Sequence, residues 1–364
     1  MEKDVGYRRA QLTGRGSYII SLPKDWVQEV GVERGSQIAF KVQNDSSLIL
    51  TPRKILEGRK ESEKPTLKEY RVLVEPKDDP KSVCRRITSL YVVNADLIHV
   101  RYVQGGVAPR FRGAINDLVK NVLLGSEIID EKPNELTIQI LINHPEFPVE
   151  KAIRRMAVLA LSANKDAVST LSNKNEGLIP EVIEVANDVN RLNLYAVRQL
   201  KYGMERNLFK ELGFRTPKEF LGYRIVANDL KNIADNARNI VRKVTTFKEM
   251  IRNQTLFLKE AVDEEVYSQI LDYNSLAHKL LEDSLKAMFK RDYEQADRII
   301  FEVESIAKRE NDLIVLISSK KMDPNISSIL SLILDTSRRI VEYSQNIAEV
   351  TLNRTIEEVS AQNP

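Results

Sequence analysis

The 364-residue chain is poor in the residues that build most disulfide, metal and catalytic centres. It has one cysteine, Cys84, and three histidines, so an internal disulfide is excluded. A zinc site is not expected, because His99 and His144 have no Cys or His neighbour at the spacing of zinc ligands. We expect Cys84 to lie buried on a helix and the protein to work in a reducing cytoplasm.

Phosphate-binding loops, activated nucleophiles and long apolar runs are also missing from the sequence. No Gly-rich segment has P-loop spacing and no nucleophile has a general base nearby in sequence, so the chain is predicted not to be an enzyme. The longest uncharged apolar stretches, such as 156–163, are too short to span a bilayer. Because no charged-then-apolar leader begins the chain, we expect a cytoplasmic protein without membrane insertion.

Acidic residues are under-represented at the start of the chain. The whole sequence has 55 Lys and Arg against 52 Asp and Glu, a net charge of +3. Residues 1–60 alone hold eleven basic and seven acidic side chains, which leaves this segment at +4 and the remainder at −1. Positive charge confined to one segment favours contact with a polyanion such as DNA. The alternative is a dimerisation segment whose charges are only solvated.

Residues 14–54 have the pattern of a strand, a short helix and a hairpin. Pro23 suits the first position of a helix, and Gly31 is placed to end that helix in a left-handed conformation. About forty residues bury too little apolar area for a core, so pairing with a second copy is expected. The predicted elements are a strand at 17–22, a helix at 24–30, and strands at 38–42 and 48–50.

This segment resembles the looped-hinge, swapped-hairpin DNA-binding fold of the AbrB/MazE/SpoVT family over roughly residues 5–54. The sequence departs from the family at Ser36, where Asp is usual, and in the additional Trp26. The family pattern appears in order as Arg15-Gly16, Ser21-Leu22-Pro23-Lys24, Val30-Gly31-Val32 and Arg34-Gly35.

The resemblance implies a homodimer in which swapped hairpins form a small β-barrel and basic residues from both chains bind DNA. Arg15 and Lys24 match the basic positions of the family pattern, whereas Arg8 and Arg9 are added for their charge and proximity alone. The predicted DNA-binding residues are therefore Arg8, Arg9, Arg15 and Lys24.

A linker and a small mixed domain are predicted next. Residues 55–68 are rich in charged residues and lack apolar periodicity, which is typical of a flexible connection. Residues 69–148 have the order β-α-β-α-β-β and end in a hairpin. The predicted strands are 70–74, 95–102, 126–130 and 136–142, and the predicted helices are 81–92 and 109–124.

From residue 149 onward the sequence is helical and repeats itself. A shift of 107 residues aligns Pro217 with Pro324 and Asn239 with Asn346, which indicates an internal duplication. Each of the two prolines begins a helix with an apolar seam, and two further helices precede each one. We therefore predict two three-helix bundles in tandem. Their helices are predicted at 149–173, 178–208 and from 217, and at 256–290, 292–321 and from 324.

These helices resemble the PhoU family of phosphate-uptake regulators over roughly residues 149–358. With its N-terminal segment, the whole chain resembles the archaeal type of PhoU regulator, in which an AbrB-like domain precedes the two bundles. The motifs that carry the resemblance are Ala234-Asp235-Asn236-Ala237-Arg238-Asn239-Ile240 and Glu342-Tyr343-Ser344-Gln345-Asn346-Ile347-Ala348-Glu349.

The family's third helix places two carboxylates one turn apart, where they bind metal ions together with acids of the second helix. Here the first position is a cation in both repeats, Lys231 before Asp235 and Arg338 before Glu342. A cation one turn from a carboxylate neutralises the charge that a metal ion would need. We therefore predict two ion pairs on the helix surface in place of metal ligands.

The acids of the second helix are displaced as well. Ala186 and Asn190 occupy the aligned positions, although two carboxylates keep the spacing at a shifted register. No cofactor is predicted, and metal binding is expected to be weak or lost. The weak metal candidates are Glu184, Asp188, Asp235 and Glu342.

The predicted fold is multidomain and mainly α, with an N-terminal swapped-hairpin β-barrel, a small α+β middle domain and two tandem PhoU-like three-helix bundles. The predicted domains are 1–54 for DNA binding and dimerisation, 55–68 as a linker, 69–148 as the α+β domain, and 149–254 and 255–364 as the two bundles.

The predicted function is that of a non-enzymatic, DNA-binding regulator of phosphate uptake, in which the helical half is coupled to the N-terminal segment. Its expected partners are DNA and a second copy of the chain, with phosphate transporter components or a signalling kinase as further candidates. The alternative is a signalling adaptor that docks on a phosphate transporter or sensor kinase and uses the N-terminal segment only to dimerise. A metal-dependent enzyme is disfavoured by Lys231 and Arg338.

Overall fold

The structure is a computed structural model, and it divides the chain into two compact units, Met1–Leu67 and Lys68–Pro364. We call the first unit the head and the second the body. The predicted linker lies mostly outside the described residues. These are 7–14, 16–42, 46–55, 67–103, 108–142, 147–171, 177–252 and 263–360.

The head contains two antiparallel ribbons and one short helix. In the first ribbon Leu12 lies opposite Tyr18, and in the second Phe40 lies opposite Leu50. Within a single chain the described residues form these two separate ribbons, and the barrel implied by the family resemblance would need a second chain. The elements are β1 (Gln11–Thr13), β2 (Ser17–Ile19), α1 (Lys24–Glu29), β3 (Ile38–Val42) and β4 (Leu48–Pro52).

Two turns of the head follow from their glycines. Gly31 has φ +68°, and the amide of Val32 donates to the carbonyl of Val27, which ends α1 in the predicted left-handed cap. Gly35 has φ +89° in the turn before β3. The hydroxyl of Ser36 accepts from the amide of Glu33 at 2.9 Å, so a serine caps this turn where the family has Asp.

Two sequence predictions for the head need correction. The strand expected over residues 17–22 ends at Ile19, and β1 pairs with it although no strand was predicted there. The last strand continues through Pro52 because this proline sits at the end of a two-stranded ribbon, where no further ladder hydrogen bond is required of it.

The body begins with a small α/β sheet whose order matches the predicted β-α-β-α-β-β arrangement. Its strands are ordered β5-β6-β8-β7, with β5 parallel to β6 and the other pairs antiparallel. Cys84 lies on the first helix as predicted, but it is only partly buried. The elements are β5 (Glu69–Val74), α2 (Pro80–Val92), β6 (Leu97–Tyr102), α3 (Pro109–Asn121), β7 (Ser126–Lys132) and β8 (Glu135–Ile140).

Six long helices make up the rest of the described body. Asp263 and Asp292 cap two of them by accepting from backbone amides. Asn207 and Arg291 end two helices in a left-handed conformation, and the helix that Arg291 ends is the one that Asp263 caps. The duplicated three-helix arrangement follows the prediction, with bounds shifted by a few residues. The helices are α4 (Val149–Ser169), α5 (Ile179–Arg206), α6 (Glu219–Arg252), α7 (Glu264–Lys290), α8 (Tyr293–Ser319) and α9 (Pro324–Ser360).

The two helix bundles share one continuous apolar core. The seam predicted on α6 is buried, with Leu230, Ile233 and Ile240 fully covered, and Ile340 and Ile347 of α9 belong to the same core. Burial of a side chain of this size contributes about 1.5–3 kcal/mol, so the shared seam holds the repeats together. None of the described helices is both long and apolar enough to span a membrane.

Candidate functional site

The second ribbon of the head presents an apolar face that one chain leaves uncovered. Alternation along β3 and β4 places Phe40, Val42, Leu48 and Leu50 on the same face. Phe40 is 65% exposed and Val42 is 70% exposed, and Tyr18 of the first ribbon is 76% exposed. Contiguous exposed apolar side chains on a small β unit mark an interaction surface.

The structure describes three of the four basic residues that are predicted to bind DNA. Arg8 and Arg9 are exposed on the segment that leads into β1, and Lys24 is exposed at the first position of α1. Because β1 and β2 are antiparallel, with Gln11 opposite Ile19, the start of β1 and the end of β2 lie at the same end of the ribbon. Arg15 lies outside the described residues.

In the first bundle, the predicted ion pair between Lys231 and Asp235 is present. The Nζ of Lys231 lies 2.5 Å from Oδ2 of Asp235, and Nη1 of Arg238 lies 3.2 Å from Oδ1 of the same carboxylate. Asp235 therefore has two cationic partners on its own helix. Its capacity as a metal ligand is reduced, because both oxygens already face positive charge.

In the second bundle, Arg338 is the centre of a larger ionic cluster. It pairs with Glu342 as predicted, with Asp335 at 2.8 Å and with Glu310 of α8 at 3.3 Å. Arg339 adds a second cation at 3.0 Å from Asp335. One guanidinium thus pairs with three carboxylates and partly neutralises their charge, as a bound metal cation would otherwise do.

The carboxylates of this cluster respond differently to their surroundings. Burial raises the pKa of Glu310, and the opposing charge of Arg338 offsets only part of that effect. Burial also disfavours the charged form of Asp335, but hydrogen bonds from Arg338 and Arg339 outweigh it and lower the pKa of Asp335. Positive charge at Arg338 therefore keeps Asp335 ionised.

Sequence reasoning missed two members of the cluster. Asp335 precedes Arg338 by three residues and Arg339 by four, which are the spacings of ion pairs on a helix. This sequence signal could have identified Asp335 as a member of the cluster. Glu310 lies on another helix, and no local sequence pattern indicates its approach. Of the other metal candidates, Glu184 is exposed and Asp188 pairs with Arg191 at 3.5 Å.

No group of three or more His, Cys, Asp or Glu side chains in the described part of the chain is arranged to hold a metal ion. The candidate carboxylates are distributed over both bundles, and three of the four, Asp188, Asp235 and Glu342, pair with cations. What the arrangement offers chemically is a set of charged surfaces on a rigid helical core, suited to binding partners.

A buried carboxylate joins the first bundle to the second. Glu219, at the start of α6, accepts from the backbone amides of Arg215 and Thr216 at 2.8 and 3.2 Å, and so caps its own helix. The same carboxylate pairs with Arg354 of α9 and with Arg291 at the end of α7, the latter at 3.1 Å. Burial disfavours its charged form, but the hydrogen bonds from Arg354 and its charge prevail and lower the pKa of Glu219.

A small β-rich head and a duplicated helical body define a multidomain, mainly helical protein built from two different modules. Comparison with known families identifies both modules. The PhoU domain family matches residues 153–244, and the family described as antidote-toxin recognition MazE, bacterial antitoxin, matches residues 11–56. The chain therefore carries a PhoU domain in its body and a MazE/AbrB-like domain in its head.

Two solved PhoU structures resemble the chain at low sequence identity. PhoU from Pseudomonas aeruginosa is 18% identical with a TM-score of 0.47, and the match covers 57% of this chain and 96% of that one. The phosphate transport system regulatory protein PhoU from Streptococcus pneumoniae is 17% identical with a TM-score of 0.46, covering 57% of this chain and 93% of that one. No curated protein sequence matches the chain.

Proposed function

We propose that the protein is a DNA-binding regulator of phosphate uptake that acts as a homodimer and without catalysis. The observation that carries the proposal is the coincidence, in one small head, of an uncovered apolar ribbon face and a net charge of +4 over residues 1–60, against −1 for the rest of the chain. A second copy would cover the ribbon and double that charge. A doubled basic surface is what phosphates of a DNA duplex require.

The dimer follows from the energetics of the head. At about 25 cal/mol per Å² of apolar area, burying the faces of Phe40, Val42 and Leu48 against a second copy supplies several kcal/mol that the single chain forgoes. Among the described residues of the head, only Pro52 is buried. Such a unit is expected to become stable through association.

The link to phosphate uptake rests on the PhoU domain of the body. The Streptococcus pneumoniae protein carrying that name is described as a regulator of a phosphate transport system. In the proposed mechanism, binding of a partner or ligand on the bundles changes the affinity of the head for DNA, a coupling of about 1–3 kcal/mol in typical cases.

A signalling adaptor is the competing proposal, with the same dimer but no affinity for DNA. It would dock on transporter components or a sensor kinase through the charged surfaces around Asp235 and Arg338. Removing positive charge from the head distinguishes the DNA-binding regulator from the adaptor, because only the regulator would lose affinity for DNA. Arg9→Gln combined with Lys24→Gln should weaken DNA binding by about tenfold or more, because each lost phosphate contact reduces affinity.

The matched control is Lys201→Gln combined with Arg224→Gln, which removes two exposed cations from the body. Affinity for a DNA duplex, measured by fluorescence anisotropy, should stay unchanged in this control. Equal affinity in the wild type and the head variant would count against DNA binding through the head.

The dimer has its own test. Phe40→Asp places a charge on the apolar ribbon face, and Ala39→Asp places it on the opposite face of the same strand. Light scattering should give twice the 41.6 kDa chain mass for the wild type and the Ala39→Asp protein. The Phe40→Asp protein should dissociate at micromolar concentration, and an unchanged mass would contradict dimerisation through this face.

A further inference from the structure

Two grooves lie between α6 and α9, one at each end of this antiparallel helix pair. The first, which we call the clamp groove, is lined by residues that include Lys218, Glu219, Gly222, Val350 and Arg354. The second, which we call the basic groove, has a volume of about 360 Å³. Its lining includes Asn239, Arg242, Lys243, Phe247, Asn325 and Ile329.

The two grooves are copies of each other through the internal duplication. Residues 107 positions apart occupy equivalent places in the two linings. The equivalent pairs are Lys218 and Asn325, Gly222 and Ile329, Lys243 and Val350, Thr246 and Asn353, and Phe247 and Arg354. One ancestral groove thus exists twice in the chain, with different side chains, and the differences show what each copy is suited to do.

The clamp groove is filled by its own ion pairs. Arg354 and Arg291 share Glu219, and Lys218 lies 3.3 Å from Glu357. At the crossing itself, a Cβ on Gly222 would come within 2.6 Å of Val350, so the two helices are in direct contact there. All charged residues in the described lining of this groove are paired with one another, so this copy joins the two bundles and offers a ligand no free charge there.

The basic groove differs from the clamp groove in the pairing of its charged residues. Arg242 and Lys243 have no carboxylate partner among the described residues, although both line the groove and are exposed. Asp323 lies two residues before Asn325 of the lining, and its Oδ1 already accepts from the backbone amide of Asn325 at 2.8 Å and from the side chain of Asn325 at 3.1 Å. The two cations are therefore available to an anion.

Beneath these cations the groove is apolar. Phe247 and Ile329 line it, and both are buried in the shared core of the bundles, so they form a fixed floor. The position equivalent to Phe247 is Arg354 in the clamp groove, where the guanidinium is paired with Glu219. An aromatic floor below two unpaired cations is suited to an amphipathic anion.

We infer that the basic groove binds a small organic phosphate with an apolar or aromatic body, of the size of a nucleoside monophosphate. Arg242 and Lys243 hold the phosphate group, and the body of the ligand packs on Phe247 and Ile329. A volume of about 360 Å³ lies at the lower end of the range for small-molecule pockets. This inference goes beyond the proposed function and holds whether or not the head binds DNA.

The test is titration calorimetry of the full chain with AMP, adenosine and inorganic phosphate. AMP should bind once per chain, and adenosine and inorganic phosphate should each bind about tenfold more weakly, because each makes only half of the contacts. Equal affinity for inorganic phosphate would show that the cations act alone. That result, or no AMP binding up to millimolar concentration, would overturn the inference.

Variants locate the site. Arg242→Gln combined with Lys243→Gln should weaken AMP binding by about tenfold or more, and Phe247→Leu should weaken it less while keeping the floor apolar. Lys201→Gln combined with Arg224→Gln removes the same charge elsewhere on the body and should leave AMP affinity unchanged. Loss of binding in this control as well would show a non-specific charge effect and refute the site.

Discussion

The Nη1 of Arg198 on α5 lies 2.6 Å from the carbonyl oxygen of Tyr91, the penultimate helical position before α2 ends. The same nitrogen donates to the carbonyl of Ala95 at 2.9 Å, and Nη2 lies 3.7 Å from Asp96. Arg198 is only 3% exposed. One buried guanidinium of the first bundle thus satisfies the chain segment that connects α2 to β6, and joins the α/β sheet to the helices.

We predict that Arg198→Met destabilises the body by about 3 kcal/mol. Two buried carbonyl oxygens would lose a charged donor and Asp96 its cation, and the methionine would replace only the packing. Chemical denaturation gives the change in unfolding free energy. Lys201→Met, an exposed position on the same helix, should change it by less than about 0.5 kcal/mol. Similar losses in both variants would disprove the role of Arg198.

Glu219→Gln should destabilise the contact between the bundles by about 3 kcal/mol, because Arg354 and Arg291 would remain buried without their shared carboxylate. The control is Glu357→Gln, whose partner Lys218 is exposed and whose loss should cost well under 1 kcal/mol. Since the pKa of Glu219 is lowered, its contribution is complete above its unfolded pKa and disappears as the pH falls through the folded value. Thermal unfolding should therefore show a smaller difference between the wild type and Glu219→Gln at pH 3 than at pH 7.

His278 predicts a pH dependence of stability. Its Nε2 lies 2.8 Å from Oδ1 of Asn164, and burial, aided by the charge of Lys165, lowers its pKa from 6.5 to about 4. The unfolded chain binds this proton near pH 6.5 and the folded chain only near pH 4, so stability is lost as pH falls between these values. The loss by pH 5 should be about 2 kcal/mol.

The measurement is the unfolding free energy of the wild type and of His278→Gln at pH 7 and pH 5. The variant retains a donor toward Asn164 but has no titrating ring. Its decrease between the two pH values should be smaller than that of the wild type. Parallel decreases would show that other groups cause the pH dependence.

Removal of Arg338 should expose the repulsion within its cluster. Arg338→Met leaves Asp335, Glu342 and Glu310 without their shared cation and should cost about 1–2 kcal/mol at pH 7. Lys231→Met disrupts a partly exposed pair in the equivalent position and should cost about 0.5 kcal/mol. The Arg338→Met loss should shrink as the pH is lowered toward 4, because protonation removes the repulsion. A loss that is independent of pH would contradict this account.

Much of this architecture was predictable from the sequence because its signals are local or periodic. Apolar seams and Pro324 predicted the long helices. Gly31 predicted a left-handed turn after the first helix, and its φ of +68° confirms that turn. The pair between Lys231 and Asp235 follows from one-turn spacing. The duplication was visible as a constant shift in residue number.

What the sequence could not provide are contacts between distant residues. Glu219 with Arg354, Arg198 with Tyr91, and Glu310 with Arg338 are each set by packing of helices far apart in the chain. The same holds for the basic groove, which becomes visible only when α6 and α9 are placed side by side. The strand β1 was missed because three residues carry too little pattern.

The most direct test of the proposed function is the DNA affinity of the full chain and of a truncation that starts at Leu67, measured at about 50 and 200 mM salt. We predict that the full chain binds a DNA duplex and loses about three to five orders of magnitude in affinity at the higher salt, if Arg8, Arg9, Arg15 and Lys24 of both chains contact phosphates. The truncation should not bind. Absence of binding by the full chain at low salt, or equal binding by both proteins, would contradict a DNA-binding head.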